Sequence, residues 1–181
     1  KEIGVNKATV SSFRMAEYFA GEGWDDITVA FPVNVLEIDR INSLAEKINL
    51  NILFTSHEAV SLLSEKLKFP IGFFIKIDTG MRRSGIEPDN FKMIDDVLNE
   101  ANRNNKLIFK GFLAHYGHTY KAKSTEEIKS IHEKSLLELK RLKDNYKRNF
   151  PDIIVSVGDT PSCSLMDNFD GADEIRPGNF I

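Results

Sequence analysis

The chain has one cysteine, Cys163, and one tryptophan in 181 residues, and no apolar run approaching the ~20 residues of a membrane span. A lone cysteine excludes an internal disulfide and suits a reducing compartment, so a cytoplasmic location is expected. Charge of one sign is also lacking. Twenty-four Lys and Arg are interspersed with 27 Asp and Glu, for a net charge of −3, so no basic face points to nucleic acid, and no membrane partner is expected. The four histidines and Cys163 show no metal-site spacing, and no linker, low-complexity tract or short repeat divides the chain. What remains, 41% hydrophobic and 28% charged, is the composition of one soluble domain, residues 1–181, with a sizeable core.

Apolar patterning then predicts strand followed by helix, over and over. Strands are expected at residues 5–8, 26–31, 51–55, 71–77, 107–114, 153–157 and 172–175. Helices are expected after Ser11 or Ser12, over 35–48, over 57–67, from Pro88 at a first helical position to about 104, and over 124–150. His57, near a helix start, reads as a surface or capping residue, and His132 as a solvated passenger on the long helix. Alternation of this kind implies parallel strands joined by right-handed crossovers. The expected fold class is α/β, a (β/α)₈ TIM barrel, incomplete because seven strands are counted where eight are needed. An opened barrel leaves unpaired apolar edges, which folded proteins avoid.

The chemistry gathers at the carboxyl ends of the strands. Residues 107–120 run from an apolar strand into His115, His118 and Tyr120, which is how a parallel α/β fold presents reactive groups. A core histidine with a satisfied ring remains the plain alternative for His115. Gly158-Asp159-Thr160 and Gly178-Asn179 follow the last two strands, where barrels often bind phosphate: glycine lets N–H groups approach an anion, and Thr160 adds a hydroxyl. Asp159 argues against an anion there unless its carboxylate points elsewhere, and an ordinary turn is the simpler reading of Gly-Asp-Thr-Pro.

Taken together, Asp78–Gly85, His115–Tyr120, 156–161 and 174–179 resemble the pyridoxal 5'-phosphate (PLP) enzymes built on the alanine racemase N-terminal barrel, and most the D-threonine aldolase and D-serine dehydratase branch. In that resemblance residues 8–10 match the family's second strand and 25–32 its third. It implies roles by position. Arg83 would lie near the cofactor's phenolic oxygen and His115 against the ring face. Arg176 would face the pyridine nitrogen, where a guanidinium that keeps its proton weakens the electron sink. Gly158, Thr160, Gly178 and Asn179 would form the phosphate cup, and Tyr120 and His118 would be the catalytic candidates. The family's covalent lysine should end a first strand. Lys1 and Lys7 lie too close to Ala8, and Lys76 sits inside another strand, so that lysine is expected upstream of Lys1. A β-rich C-terminal domain that carries a divalent metal in this branch, and a homodimer, are likewise implied of the parent protein.

The resemblance makes the expected parent function PLP-dependent cleavage or β-elimination of a β-hydroxy D-amino acid, with this chain alone lacking the amine that such a lyase needs. Amino-acid racemisation is the enzymatic alternative, and a non-catalytic PLP-binding barrel the other. A phosphate-binding barrel unrelated to pyridoxal is the blandest.

Overall fold

In a computed structural model, which describes residues 4–178, seven strands follow one another in a single sheet in the order β1 to β7. They are β1 (Ala8–Val10), β2 (Asp26–Pro32), β3 (Asn49–Phe54), β4 (Ile71–Ile77), β5 (Leu107–Ala114), β6 (Ile154–Val157) and β7 (Glu174–Ile175). The pairs β1–β2, β2–β3, β5–β6 and β6–β7 are parallel. Consecutive order with helical crossovers is the strand succession of a (β/α)₈ barrel, seven of whose strands lie among the described residues.

The chain divides into two compact units, residues 1–74 with 92–109 and residues 75–91 with 110–181. In the first, α1 (Phe13–Gly21) starts at Ser12, whose hydroxyl accepts from Met15 N, and buries Phe13 and Ala16. The 3₁₀ turn Val35–Glu37 and α2 (Ile38–Ala45) stand where one helix was expected. Asn34 caps the turn through Leu36 N and leaves Leu36 88% exposed, off the stripe that Ile41 and Leu44 bury. Helix α3 (His57–Ser64) is capped by Ser56, with His57 exposed beside it. Helix α4 (Phe91–Ala101) starts later than Pro88, because Ile86 forms a bridge with Ile77 and Glu87 and Asp89 accept turn bonds from Asn90 and Phe91. Phe54, Phe73 and Phe109 stack through this core at successive centroid separations of 5.4 Å.

The second unit is built on α5 (Thr125–Tyr146). Ser124 caps it by accepting from Glu127 N, while the Glu127 carboxylate takes Lys123 N at 2.7 Å, a variant of the reciprocal capping box. Its stripe of Ser135, Leu136, Leu139 and Leu142 is buried, each leucine contributing roughly 2 kcal/mol. Tyr146 closes on Phe112 at 5.5 Å. His132 departs from expectation: it is 1% exposed, wedged edge-on between Tyr116 and Phe169, because it lies on the same helical face as Ser135 and Leu136. Several boundaries also move, β7 shrinking from 172–175 to Glu174–Ile175 and α3 ending at Ser64 rather than 67. The first strand begins at Ala8 rather than Val5, where pairing with Ile27 starts. Residues 158–161, read as an ordinary turn, instead lead into the short helix α6 (Thr160–Leu165), because Asp159 caps it and Pro161 sits in its first turn.

Candidate functional site

The site side chains described below, from Lys76 onward, belong to the second unit. Strand β4 is buried along its whole length, including Lys76 at 4% exposure. Burial, with Arg83 and Arg176 nearby, pulls its ammonium down from 10.5 to about 8. The strand runs into a loop folded round Asp78. The Asp78 carboxylate accepts from Gly80 N at 2.9 Å, Arg82 N at 3.0 Å and Arg83 N at 3.1 Å. Burial works to raise its pKa, but these three donors hold it below the usual range. They also secure Arg82 in the left-handed region, φ 55°, and so aim the backbone at Arg83.

Beyond β5, His115 Nδ1 lies 2.9 Å from the carbonyl of Gly158. A carbonyl only accepts, so Nδ1 carries the proton and Nε2 the lone pair. Burial first, then the charges of Arg176, Arg83 and Lys76, lower its pKa, and the ring is neutral near pH 7. Gly158 is required by close approach: a Cβ there would lie 2.3 Å from the Arg176 carbonyl oxygen. Arg176 is held by acceptors from two strands. Its Nε donates to Ser156 Oγ at 2.8 Å and its Nη2 to the carbonyls of Ala114 and Ser156. Ser156 Oγ in turn donates to Glu174, its cross-strand partner in the β6–β7 register. Burial lowers the Arg176 pKa to about 10, so the cation persists at neutral pH.

A third cluster completes the site. The 3₁₀ turn Gly117–Lys121 brings Tyr120 to the start of α6, where its hydroxyl donates to Thr160 Oγ1 and accepts from Thr160 N, both at 3.1 Å. A Cβ on Gly178 would lie 2.9 Å from Thr160 Oγ1 and 4.0 Å from the Tyr120 oxygen. The Tyr120 and His115 rings are 6.1 Å apart. Asp159 is turned inward at 2% exposure, so this corner presents the Tyr120 and Thr160 hydroxyls without its carboxylate. The donor set suits a phosphate, and the neutral ring beside fixed guanidinium charge suits a flat heteroaromatic anion. A cleft of about 760 Å³ lies elsewhere, between the outer side of the Asp78 loop and α5, and includes none of His115, Thr160 or Arg176.

The family described as alanine racemase, N-terminal domain, matches residues 2–181. The chain belongs to that family. Among curated relatives, D-serine dehydratase of Dictyostelium discoideum is 28% identical over 191 residues, covering 94% of this chain and 47% of the relative. D-threo-3-hydroxyaspartate dehydratase of Delftia sp. strain HT23 is 23% identical over all of this chain and 49% of its own length. Its solved structure superposes with a TM-score of 0.85 over 94% of this chain and 46% of that one. D-threonine aldolase from Filomicrobium marinum, 17% identical, gives 0.80 over 98% and 48%. The chain thus spans about half the length of the relatives it matches.

Of the residues that the family resemblance singled out, Arg83, His115, His118, Gly158, Thr160, Arg176, Gly178 and Tyr120 fall in this one unit, and all but Arg83 and His118 are linked by the contacts above. Arg83 is exposed, its charge reaching Lys76 and His115. His118 stands slightly apart, its ring over Gly80, and burial lowers its pKa. Asn179 lies outside the described residues. Ser156, Glu174 and Thr119 lie within the quoted motifs but drew no role from the sequence, which does not show that they hydrogen-bond to Arg176, Ser156 and Asp159. No group of three His, Cys, Asp or Glu among the described residues could hold a metal ion, and no described helix is long and apolar enough to cross a membrane.

Proposed function

We propose that the protein carrying this chain is a PLP-dependent lyase that removes water from a β-hydroxy D-amino acid. The carrying observation is the meeting of His115, Arg176 and the Tyr120–Thr160–Gly178 corner within one unit, in a family whose relatives here are two dehydratases. PLP, when bound, supplies an electron sink for the pair released at the substrate Cα.

Each residue has a definite task in that reading. The Thr160 hydroxyl would donate to the phosphate, and Tyr120 would fix it there, giving its own proton to Thr160 Oγ1 and taking Thr160 N–H. Gly178 keeps the Thr160 hydroxyl uncovered. His115, its Nδ1 proton committed to Gly158, offers a neutral ring to the cofactor's face. Arg176, pinned by Ser156 and Ala114, would hold the pyridine nitrogen end of the cofactor and keep its own proton there, which would leave the ring a weaker electron sink. Arg83 supplies positive charge at the cofactor's phenolic edge. His118, beside Gly80, is a candidate for handling the substrate's β-hydroxyl. A divalent metal and a dimer partner belong to the whole protein.

The protein expressed from its whole reading frame should show visible absorbance with PLP. It should release ammonia and a 2-oxo acid from D-serine or D-threo-3-hydroxyaspartate. Glycine and an aldehyde from D-threonine would place it with the aldolases instead. A colourless protein inert to all of these substrates would end the proposal.

A further inference from the structure

The carboxylate that looked unfavourable for an anion site turns out to be part of its scaffold. Thr119 is 2% exposed, in the 3₁₀ turn between His118 and Tyr120. Its hydroxyl lies 2.6 Å from Asp159 Oδ2 and 2.8 Å from the Tyr116 carbonyl. A hydroxyl has one proton, and the contact to the carboxylate is the shorter and the charge-assisted one, so the proton goes to Asp159. The same Oδ2 accepts Ser162 N at 2.9 Å and starts α6. Residues 119 and 120 therefore pair with 159 and 160 in two rungs: a buried one, Thr119–Asp159, and an exposed one, Tyr120–Thr160. The exposed rung has long, neutral bonds in reach of water. The buried rung is short, charged and shielded from solvent, and of the two it is the one able to hold a fixed spacing.

We propose that Thr119 and Asp159 are positioning residues for the anion end of the site, holding Tyr120 and Thr160 at the separation that presents their donors beside Gly178. The inference rests on the reading that this corner takes the phosphate of PLP. It assigns to Thr119–Asp159 no contact with the cofactor, only control of the two groups that would make one.

The test uses the full-length protein and compares Thr119→Val, Thr119→Ser and Tyr120→Phe, singly and with Thr119→Val combined with Tyr120→Phe. Thr119→Val should weaken PLP binding on the order of tenfold, the loss of one hydrogen bond to a charged group. Thr119→Ser should restore it to within about twofold, since the hydroxyl is kept. Affinity for pyridoxal, which lacks the phosphate, should not move. In the Tyr120→Phe background the Thr119→Val effect should largely vanish, as coupled groups require. Equal losses for PLP and pyridoxal, or the same loss in both backgrounds, would show a merely structural bond and overturn the proposal. If Thr119→Val does not fold, Asp159→Asn, which still accepts Ser162 N–H, replaces it under the same criteria. A wild-type protein that binds no PLP would defeat the functional reading instead. The rung would then be judged by the ¹³C resonance of the Tyr120 ring carbon bearing oxygen, which should move on Thr119→Val in cofactor-free protein; an unmoved resonance would overturn it.

Discussion

Lys76 shows what a single residue contributes and costs. It was legible as a lysine in an apolar strand, but its burial was not, because β4 is covered on both faces and shows no alternation to mark an inward position. Its folded pKa of about 8 lies below the ordinary 10.5, so the unfolded chain binds the extra proton between those values. Stability from this group therefore rises with pH from about 8 to about 10.5, and the full penalty applies below 8. Lys76→Met should remove that rise and add on the order of 3 kcal/mol near pH 7; paired urea titrations at pH 7 and 9.5 would measure it, and equal slopes in both proteins would contradict it. Gly158 is a second such residue. Gly158→Ala drives a methyl into the Arg176 carbonyl and should cost about 2–3 kcal/mol, with displacement of His115 from its Gly158 acceptor visible as a changed imidazole titration by NMR. Around His132, both ring nitrogens, the Tyr116 hydroxyl and Asp159 Oδ1 are buried without a partner among the described residues. Groups of that kind are met by ordered water.

At the scale of elements, capping explains both the successes and the errors of the sequence reading. Ser12, Ser56 and Ser124 start the helices where hydroxyls precede apolar stripes. Ser124→Ala should lower stability by about 1 kcal/mol, read from the midpoint of denaturant unfolding. Asp159-Thr160-Pro161 fits a turn equally well, and the buried acceptor role of the Asp159 carboxylate, set by Thr119 forty residues away, decides for α6. Pro88 carries a start signal that the Ile77–Ile86 bridge overrides. Strands β6 and β7 show the same dependence on neighbours. Ser156 looks like an ordinary strand residue, yet it joins Glu174 to Arg176 across the ladder. Ser156→Ala leaves two polar partners short of one bond each and should cost about 1–3 kcal/mol, measurable by urea unfolding, with a matching loss of rigidity at the Arg176 Nε–H resonance.

For the whole molecule, the site residues fall in the unit formed by 75–91 and 110–181, while residues 1–74 with 92–109 make a second compact unit. PLP should therefore slow hydrogen exchange in β5, β6 and the start of α6 more than in β1 to β3 of the full-length protein. Equal protection in both regions by mass spectrometry would place the cofactor elsewhere. By itself the sequence determined the alternation of seven strands with helices, and with it the barrel succession. Hydrophobic periodicity is a local property, readable wherever one face of an element meets a core. Through four short motifs it also determined the family. Only the tertiary structure decided that Lys76 is buried within reach of two arginine charges, that His132 is interior, that the Asp159 carboxylate turns inward onto Thr119, and that Ser156 joins Glu174 to Arg176. Those outcomes depend on which strand ends meet, a relation that for Arg176 joins it to Ser156, 20 positions away, and to Ala114, 62 away, and no local pattern carries it.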